Sequence, residues 1–233
     1  MLKSSVFITG AGSGLGLALA GVFLSEGWDV FAGTIEDSPE LARLEGASKG
    51  RLTRFQLDVR NEDSVRAVRD ATAGKTGSLE ILINNAGINP AKDTPLEELD
   101  FNVVSDVLDV NALGPLRMAK HFLPLLEKGK LKRIIEISSE AGSLTDCTRT
   151  AWFGYCMSKT ALNMQGRLLQ NYLNPRGYSI LLIHPGSIRS KMGGPTAADD
   201  PGDNAKIMYP MLTSTRKDSD PMYVQFDGKP LRW

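Results

Sequence analysis

Hydrophobic positions along the chain recur in two periods that take turns. Val6-Phe7-Ile8 is a short unbroken apolar run, the mark of a strand buried on both faces, and it leads into a glycine cluster. From Gly14 to Ser25 the period becomes helical, with Leu15, Leu19, Val22 and Phe23 sharing one broad face, and Gly27 is a stop signal. Asp29 to Thr34 and Leu52 to Val59 read as the second and third strands, and Asn61 then caps a helix running to about Thr72. Ile81-Leu82-Ile83 is a fourth strand ending in Asn84-Asn85-Ala86-Gly87. Two helices are predicted over about 96–110 and 113–127, followed by a fifth strand, Ile134 to Ser138. Tyr155 to Asn174 is helical until Pro175 and Gly177 end it. Ser179 to Ile183 is a sixth strand halted by Pro185-Gly186, and Val224 to Phe226 is a seventh. The Gly-, Pro-, Asp- and Ala-rich stretch 193–203 reads as a mobile loop, the middle of a substrate segment at about 191–212.

Strands alternating with helices, the strands apolar on both faces, predict an α/β fold: a Rossmann-type, doubly wound parallel sheet of about seven strands with helices on both sides. No repeat or second core interrupts the pattern, so residues 1–233 are expected to form a single domain. Such a sheet collects ligands at the carboxyl ends of its strands, and every unusual motif in this chain lies just after a predicted strand.

Composition narrows the function. Lys+Arg and Asp+Glu both number 27, which leaves no basic excess to neutralise a phosphate backbone and argues against a nucleic-acid partner. No apolar run is long enough for a membrane span, and Met1-Leu2-Lys3-Ser4-Ser5 lacks the apolar region of a signal peptide. Cys147 and Cys156 have no metal-ligand spacing and read as reduced thiols of a cytoplasmic protein, with no metal implied.

The first chemical motif is Thr9-Gly10-Ala11-Gly12-Ser13-Gly14-Leu15-Gly16, which follows a strand and opens a helix. Gly10, Gly14 and Gly16 let the backbone turn tightly and approach a diphosphate, and the helix start adds unpaired N–H groups. The second is Tyr155-Cys156-Met157-Ser158-Lys159. Its tyrosine and lysine, four apart, share a helix face, where an ammonium would stabilise a phenolate and lower the phenol pKa. Alone, each of these motifs is also compatible with a merely structural role.

Taken in order, TGAGSGLG at 9–16, NNAG at 84–87, Asn111, Ser138-Ser139, YCMSK at 155–159 and Pro185-Gly186 resemble the short-chain dehydrogenase/reductase family over nearly the whole chain. The segment 137–164, His184-Pro185-Gly186, Met192-Gly193-Gly194-Pro195 and Phe226-Asp227-Gly228-Lys229-Pro230-Leu231 are similar to the C-factor and sniffer-type carbonyl reductases, although the spacer between Ser139 and Tyr155 is longer than the family's usual one. The resemblance implies a hydride-transferring oxidoreductase acting on a small carbonyl or alcohol. It assigns Tyr155 as proton donor, Lys159 as its pKa-lowering partner and ribose ligand, Ser139 rather than Ser138 as the group on the substrate oxygen, and Asn111 as holder of a water leading to Lys159. The other reading of Asn111 is a polar residue satisfied locally.

For the dinucleotide, the resemblance implies contacts from Gly10, Ser13, Gly14, Leu15, Gly16, Thr34, Asp58, Val59, Asn85, Ala86, Gly87, Pro185, Gly186, Ile188 and Ser190, besides Tyr155 and Lys159. Asp58 would meet the adenine amino group, or else serve only as a helix-entry aspartate. Thr34 stands where NAD-using members carry aspartate, so NADP is favoured; with Glu36 close by and no arginine, NAD is possible. The variable segments 88–93, 143–154 and 191–212, with Leu144, Trp152, Phe153, Met192 and Met208, predict a fairly apolar ketone or aldehyde. Trp152 and Phe153 fit either a pocket wall or the core, and Arg149 is a candidate ligand for an acid group. His121 and His184 read as structural, and Met208, Met211 and Met222 as a flexible apolar cover. The family habit of pairing long helices implies a homodimer or homotetramer. Likeness to C-factor leaves a second reading, a dinucleotide-binding signalling or sensing protein of the same fold.

Overall fold

The computed structural model describes residues 4–217 and 219–233. The expectation of no leader at Met1-Leu2-Lys3 lies outside the described residues.

The chain begins in the middle of its sheet. Strand β1 (Ser5–Thr9) feeds helix α1 (Gly14–Ser25), and β2 (Asp29–Thr34), α2 (Pro39–Ala47) and β3 (Leu52–Gln56) build outward to one edge. Helix α3 (Glu62–Ala73) returns the chain to the other side of β1. There β4 (Ile81–Asn84), α4 (Phe101–Leu108), α5 (Gly114–Leu126), β5 (Arg133–Ile137), α6 (Phe153–Leu173), β6 (Ser179–His184), α7 (Pro201–Thr213) and β7 (Tyr223–Gln225) complete the fold. Among the described residues the seven strands are all parallel, in the order β3-β2-β1-β4-β5-β6-β7. This is the doubly wound α/β sheet that the alternating pattern predicts.

Strand alternation divides the core into two layers. Val6, Ile8, Ile83, Ile135 and Ile183 point toward α1 and α7. Phe7, Leu82, Ile134 and Ile180 point the other way, against Val65 and Val68 of α3 and Met118 and Phe122 of α5. A one-residue slip in any strand would exchange these sets, so burial on both faces locks the register.

Four boundaries differ from the sequence reading. Strand β3 stops at Gln56, not Val59, because Asp58 starts a turn in which its carbonyl accepts from Asn61 N at 3.1 Å. Helix α2 was not predicted: only Leu41 is buried along it, so it carries almost no hydrophobic period, although Ser38 caps it and Pro39 opens it. The two helices predicted over 96–127 are joined by a π turn, Asp109–Leu113, without a break in the chain's helical course. Half of the segment predicted as a mobile loop at 191–212 is helix α7, with Ala205, Met208 and Leu212 fully buried. Its Pro201-Gly202 start resembles loop composition, but Asp200 accepts from Gly202 N and Asp203 N and so caps a helix. Met208 is therefore core and not a flexible cover.

Candidate active site

Between β1 and β4 the chain reverses its direction of travel across the sheet, the place where such sheets leave a crevice at the strand ends. It opens into a cleft of about 810 Å³ that runs from Ser38 and Asp58 past the glycine turn to Tyr155 and Met192. Among the described residues the other marked depression, about 470 Å³ between α1 and α7, holds only Glu26, Lys206 and Tyr209 as titratable groups and lies away from the strand ends.

The floor is made by the glycine turn and by Asn84-Asn85-Ala86-Gly87. Gly10 has φ +64°, and a Cβ there would stand 2.8 Å from Ala86 Cα; a Cβ at Gly16 would stand 2.4 Å from the Gly10 carbonyl oxygen. Both positions thus need glycine for the turn and the loop after β4 to touch. Asn85 Nδ2 donates to the carbonyls of Thr9 (2.9 Å) and Gly10 (3.1 Å), and Thr9 Oγ1 accepts from Asn85 N and Ala86 N. Ser13, the N-cap of α1, makes no side-chain cap bond. The first-turn N–H groups of α1 consequently face the cleft without a partner side chain, a cradle suited to a diphosphate. The site's dimensions, its glycine floor and this helix start fit a dinucleotide.

Tyr155 and Lys159 project from the first turns of α6. Tyr155 is half-buried on the cleft wall, and Lys159 is nearly enclosed, its Nζ 5.6 Å from the centroid of the tyrosine ring and donating to the Ile137 carbonyl at 2.7 Å. Burial holds the Lys159 pKa down at about 8, with Glu136 pulling it upward. The expected acidification of Tyr155 is not found. Its phenol is pushed up to about 12, burial being the largest cause, and the Ser139 hydroxyl opposes this.

The two neighbouring serines have different employment. Ser138 Oγ donates to Asn163 Oδ1 at 2.6 Å in the interior. Ser139 caps the short turn Glu140–Gly142, accepting from Ala141 N at 3.1 Å, and directs its hydroxyl toward Tyr155. Tyr223 on β7 donates to the Ser139 carbonyl, a brace that nothing local in the sequence announces. Asn111, in the π turn, is buried; its Nδ2 donates to Ile88 O (2.9 Å) and Ser158 Oγ (3.0 Å), and its Oδ1 accepts from Ile88 N (2.8 Å). Its side-chain partners are thus brought in from the loop after β4 and from α6, not from its own turn.

Gly10, Ser13, Gly14, Leu15, Thr34, Asp58, Val59, Asn85, Ala86, Gly87, Pro185, Ile188 and Ser190 all border the cleft with Tyr155 and Lys159. Gly16 and Gly186 lie behind it, shaping the backbone. The Asp58 carboxylate is held by Arg60 through Nε (3.0 Å), Nη2 (2.9 Å) and the backbone N–H (2.9 Å), and this pairing keeps its pKa below the ordinary value. Thr34 Oγ1 donates to the Glu36 carbonyl at 2.9 Å, and Lys191 Nζ reaches Glu36 at 3.4 Å across the cleft mouth. Glu36, noted from the sequence, walls this end together with Ile35 and Asp37 to Glu40, which sequence reasoning missed; the Ser38-Pro39 cap was the available signal.

At the other end Trp152 adopts φ +64°, ψ 32° as the N-cap of α6, with its ring 5.9 Å from that of Tyr155 and flanked by Lys92 and Arg149 at 4.8 and 5.0 Å. Arg149 is committed to Glu140 at 2.6 Å and is not a free acid-group ligand. His121 meets Glu62 at 2.8 Å on the surface, and His184 Nδ1 is buried without a partner.

The family model for short chain dehydrogenases matches residues 4–201. The chain belongs to that family. This short-chain dehydrogenase is 34% identical to the C-signal protein of Myxococcus xanthus over 70% of its own length and 98% of the relative's. It superposes on NADPH-bound carbonyl reductase from chicken fatty liver with a TM-score of 0.89 at 28% identity, covering 100% of both chains. The carbonyl reductase Sniffer of D. melanogaster gives a TM-score of 0.90, also at 28% identity and 100% coverage of both chains. The protein is a hydride-transfer oxidoreductase of this family. Among the described residues no helix is long and apolar enough to cross a membrane.

Proposed function

We propose that this dehydrogenase reduces a small, neutral, fairly apolar ketone or aldehyde with NADPH. The observation that carries the reading is the placement of Tyr155 and Lys159 on the wall of a cleft whose other end is a glycine-floored helix start, with the Ser139 side chain next to Tyr155, although of the two serines it is Ser138 that lines the cleft. The bound dinucleotide supplies the hydride. Tyr155 Oη holds the proton that passes to the carbonyl oxygen, its phenol being in the acid form at physiological pH. Ser139 Oγ donates a hydrogen bond to the same oxygen as negative charge develops there. Lys159 would hold the ribose hydroxyls and Asn111 a water leading to Lys159, while the Asn111 side chain braces the loop at Ile88 and, through Ser158, the helix that carries Tyr155. Asp58 and Val59 would border the adenine, Asn85 to Gly87 would support the adenosine, and Pro185, Ile188 and Ser190 would hold the nicotinamide.

NADP preference is supported by the neutral Thr34 at the ribose end and by the solved NADPH-bound relative. An apolar substrate is supported by Ile88, Pro90 and Met192 around the free end of the cleft and by the neutralised Arg149. A homodimer or homotetramer is supported by the exposed apolar side chains of α4 and α6, Phe101, Met164, Leu168 and Tyr172. A cytoplasmic location agrees with the two free cysteines.

The C-signal likeness favours one second reading, signalling by a dinucleotide-bound form. Tyr155→Phe separates the two. Reductase action predicts a fall in NADPH-dependent turnover of aryl and alkyl ketones by roughly 10³-fold, with the dissociation constant for NADPH unchanged within about twofold. Turnover that survives the substitution, or a wild-type protein active only on charged keto acids, would refute the proposal.

A further inference from the structure

Beneath Lys159, on the side away from the cleft, lies an ionisable group that the reaction above does not use. Glu136 is the fourth residue of β5, fully buried, in the sequence Arg133-Ile134-Ile135-Glu136-Ile137. Parallel register sets it opposite Asn84 of β4. Asn84 Nδ2 donates to Glu136 Oε1 at 3.2 Å and to the Pro115 carbonyl of α5 at 3.5 Å. The remaining two polar atoms of the pair, Glu136 Oε2 and Asn84 Oδ1, are both buried and without a partner. Both are acceptors, so neither can satisfy the other. A single proton on the carboxyl turns Oε2 into a donor, and a carboxylic acid and a primary amide are complementary: N–H to Oε1 in one direction, O–H to Oδ1 in the other. An unpartnered buried acceptor costs about 1–3 kcal/mol, so two of them on adjoining side chains weigh heavily for the protonated form.

The charged groups around this pair are few. From α6 Lys159 faces Glu136, and each is the other's charge partner. Asn84 from β4 and Pro115 from α5 are uncharged, and the β6 partner of Glu136 is Leu182. Lys159 additionally meets the ring of Tyr155 on its own helix and acts on His184 at the end of β6. The anionic form of Glu136 is thus the one negative charge near the Lys159 ammonium among the described residues.

We propose that Glu136 is a positioning residue that exchanges a proton with solvent over the working pH range: a neutral acid paired to Asn84 at the acidic end, and a carboxylate that keeps Lys159 charged at the alkaline end. Burial supports the first state, raising the Glu136 pKa to about 7 against the Asn84 hydrogen bond and the Lys159 charge. The second follows from the upward pull of Glu136 on a lysine whose pKa burial has brought to about 8. This inference rests on Lys159 serving the reductase reaction, but the proton itself can be observed without turnover.

Glu136→Gln is the test, because glutamine keeps the shape and hydrogen bonding of the neutral acid and removes only its ionisation. With NADPH and a neutral aryl ketone, the alkaline limb of kcat/KM should move to lower pH by about one unit, and the acid side should be unchanged. Difference infrared spectra of the wild-type protein should show a buried carboxylic-acid C=O band that disappears as pH rises through neutrality and is missing from Glu136→Gln. A wild-type protein lacking that band at pH 5, or a Glu136→Gln variant that keeps it, overturns the assignment of the proton. Superimposable pH profiles in an active pair overturn the coupling to Lys159. If no ketone is turned over, the coupling is read instead from NADPH affinity against pH, which should fall at lower pH in the variant; identical affinity curves overturn it.

Discussion

Two glutamate–lysine associations in this protein have similar chemistry and opposite consequences. On the surface between α3 and α5, Glu62 accepts from Lys120 at 2.6 Å and His121 at 2.8 Å, and these partners hold its pKa down at about 2. In the interior between β5 and α6, Glu136 and Lys159 have no direct hydrogen bond between them, and burial brings them to about 7 and about 8. Outside, water solvates both charges and the contact adds a modest bias toward the ion pair. Inside, loss of solvation is the largest cause for both groups and pushes each toward neutrality, so two groups that are permanently charged elsewhere become titratable near physiological pH. The difference is made by water, not by residue type.

Substitutions that break the interior association should have the larger effects. Lys159→Met is expected to lower NADPH-dependent ketone turnover by roughly 10³-fold, measured at saturating dinucleotide. It should also change the pH dependence of stability. The folded Lys159 pKa, about 8, lies below the ordinary 10.5, so between those values the unfolded chain binds the extra proton and wild-type stability rises with pH. Urea melts of wild type against Lys159→Met should diverge across that window by up to about 3 kcal/mol, the variant lacking the rise. A variant with the same slope as wild type would mean that Lys159 is solvated in the folded protein.

Asn84→Leu is the next in size. It removes the partner of both Glu136 oxygens while retaining bulk, and is expected to cost about 2 kcal/mol in urea unfolding at pH 5, where the neutral acid and the amide share two hydrogen bonds, with a smaller loss at pH 8, where only the bond to Oε1 remains. A loss equal at both pH values would show that Glu136 does not ionise in the folded protein. Lys120→Ala, which breaks the surface pair, should leave the melting temperature within about 1 °C at pH 7. The Glu62 pKa is depressed, so its contribution is present above about 4.5 and is lost as pH falls toward 2. Any loss should therefore be seen above about pH 4.5 and should vanish as pH falls toward 2.

The seven strands and most of the helices were legible because each carries a run or a period that survives without its neighbours. The glycine turn and the Tyr155–Lys159 spacing were legible for the same reason: both depend on residues close in sequence. Helix α2 and the first turns of α7 were not, since a helix with one buried residue, or one opened by Pro-Gly, has little local signal. Glu136 went unremarked for a different reason. In a strand reading Ile-Ile-Glu-Ile it is merely a polar interruption, and only the pairing with Asn84, 52 residues earlier, shows that its carboxyl is enclosed.

Local sequence determined the family, the sheet, the floor of the cleft and which helix carries the phenol, because covalent spacing and backbone conformation act over a few residues. Tertiary structure alone decided which serine directs its hydroxyl toward Tyr155, where the Lys159 ammonium points and how acidic Tyr155 is. Those properties follow from solvation and from partners brought in by distant strands, and no order of residues states how much water a side chain keeps after folding.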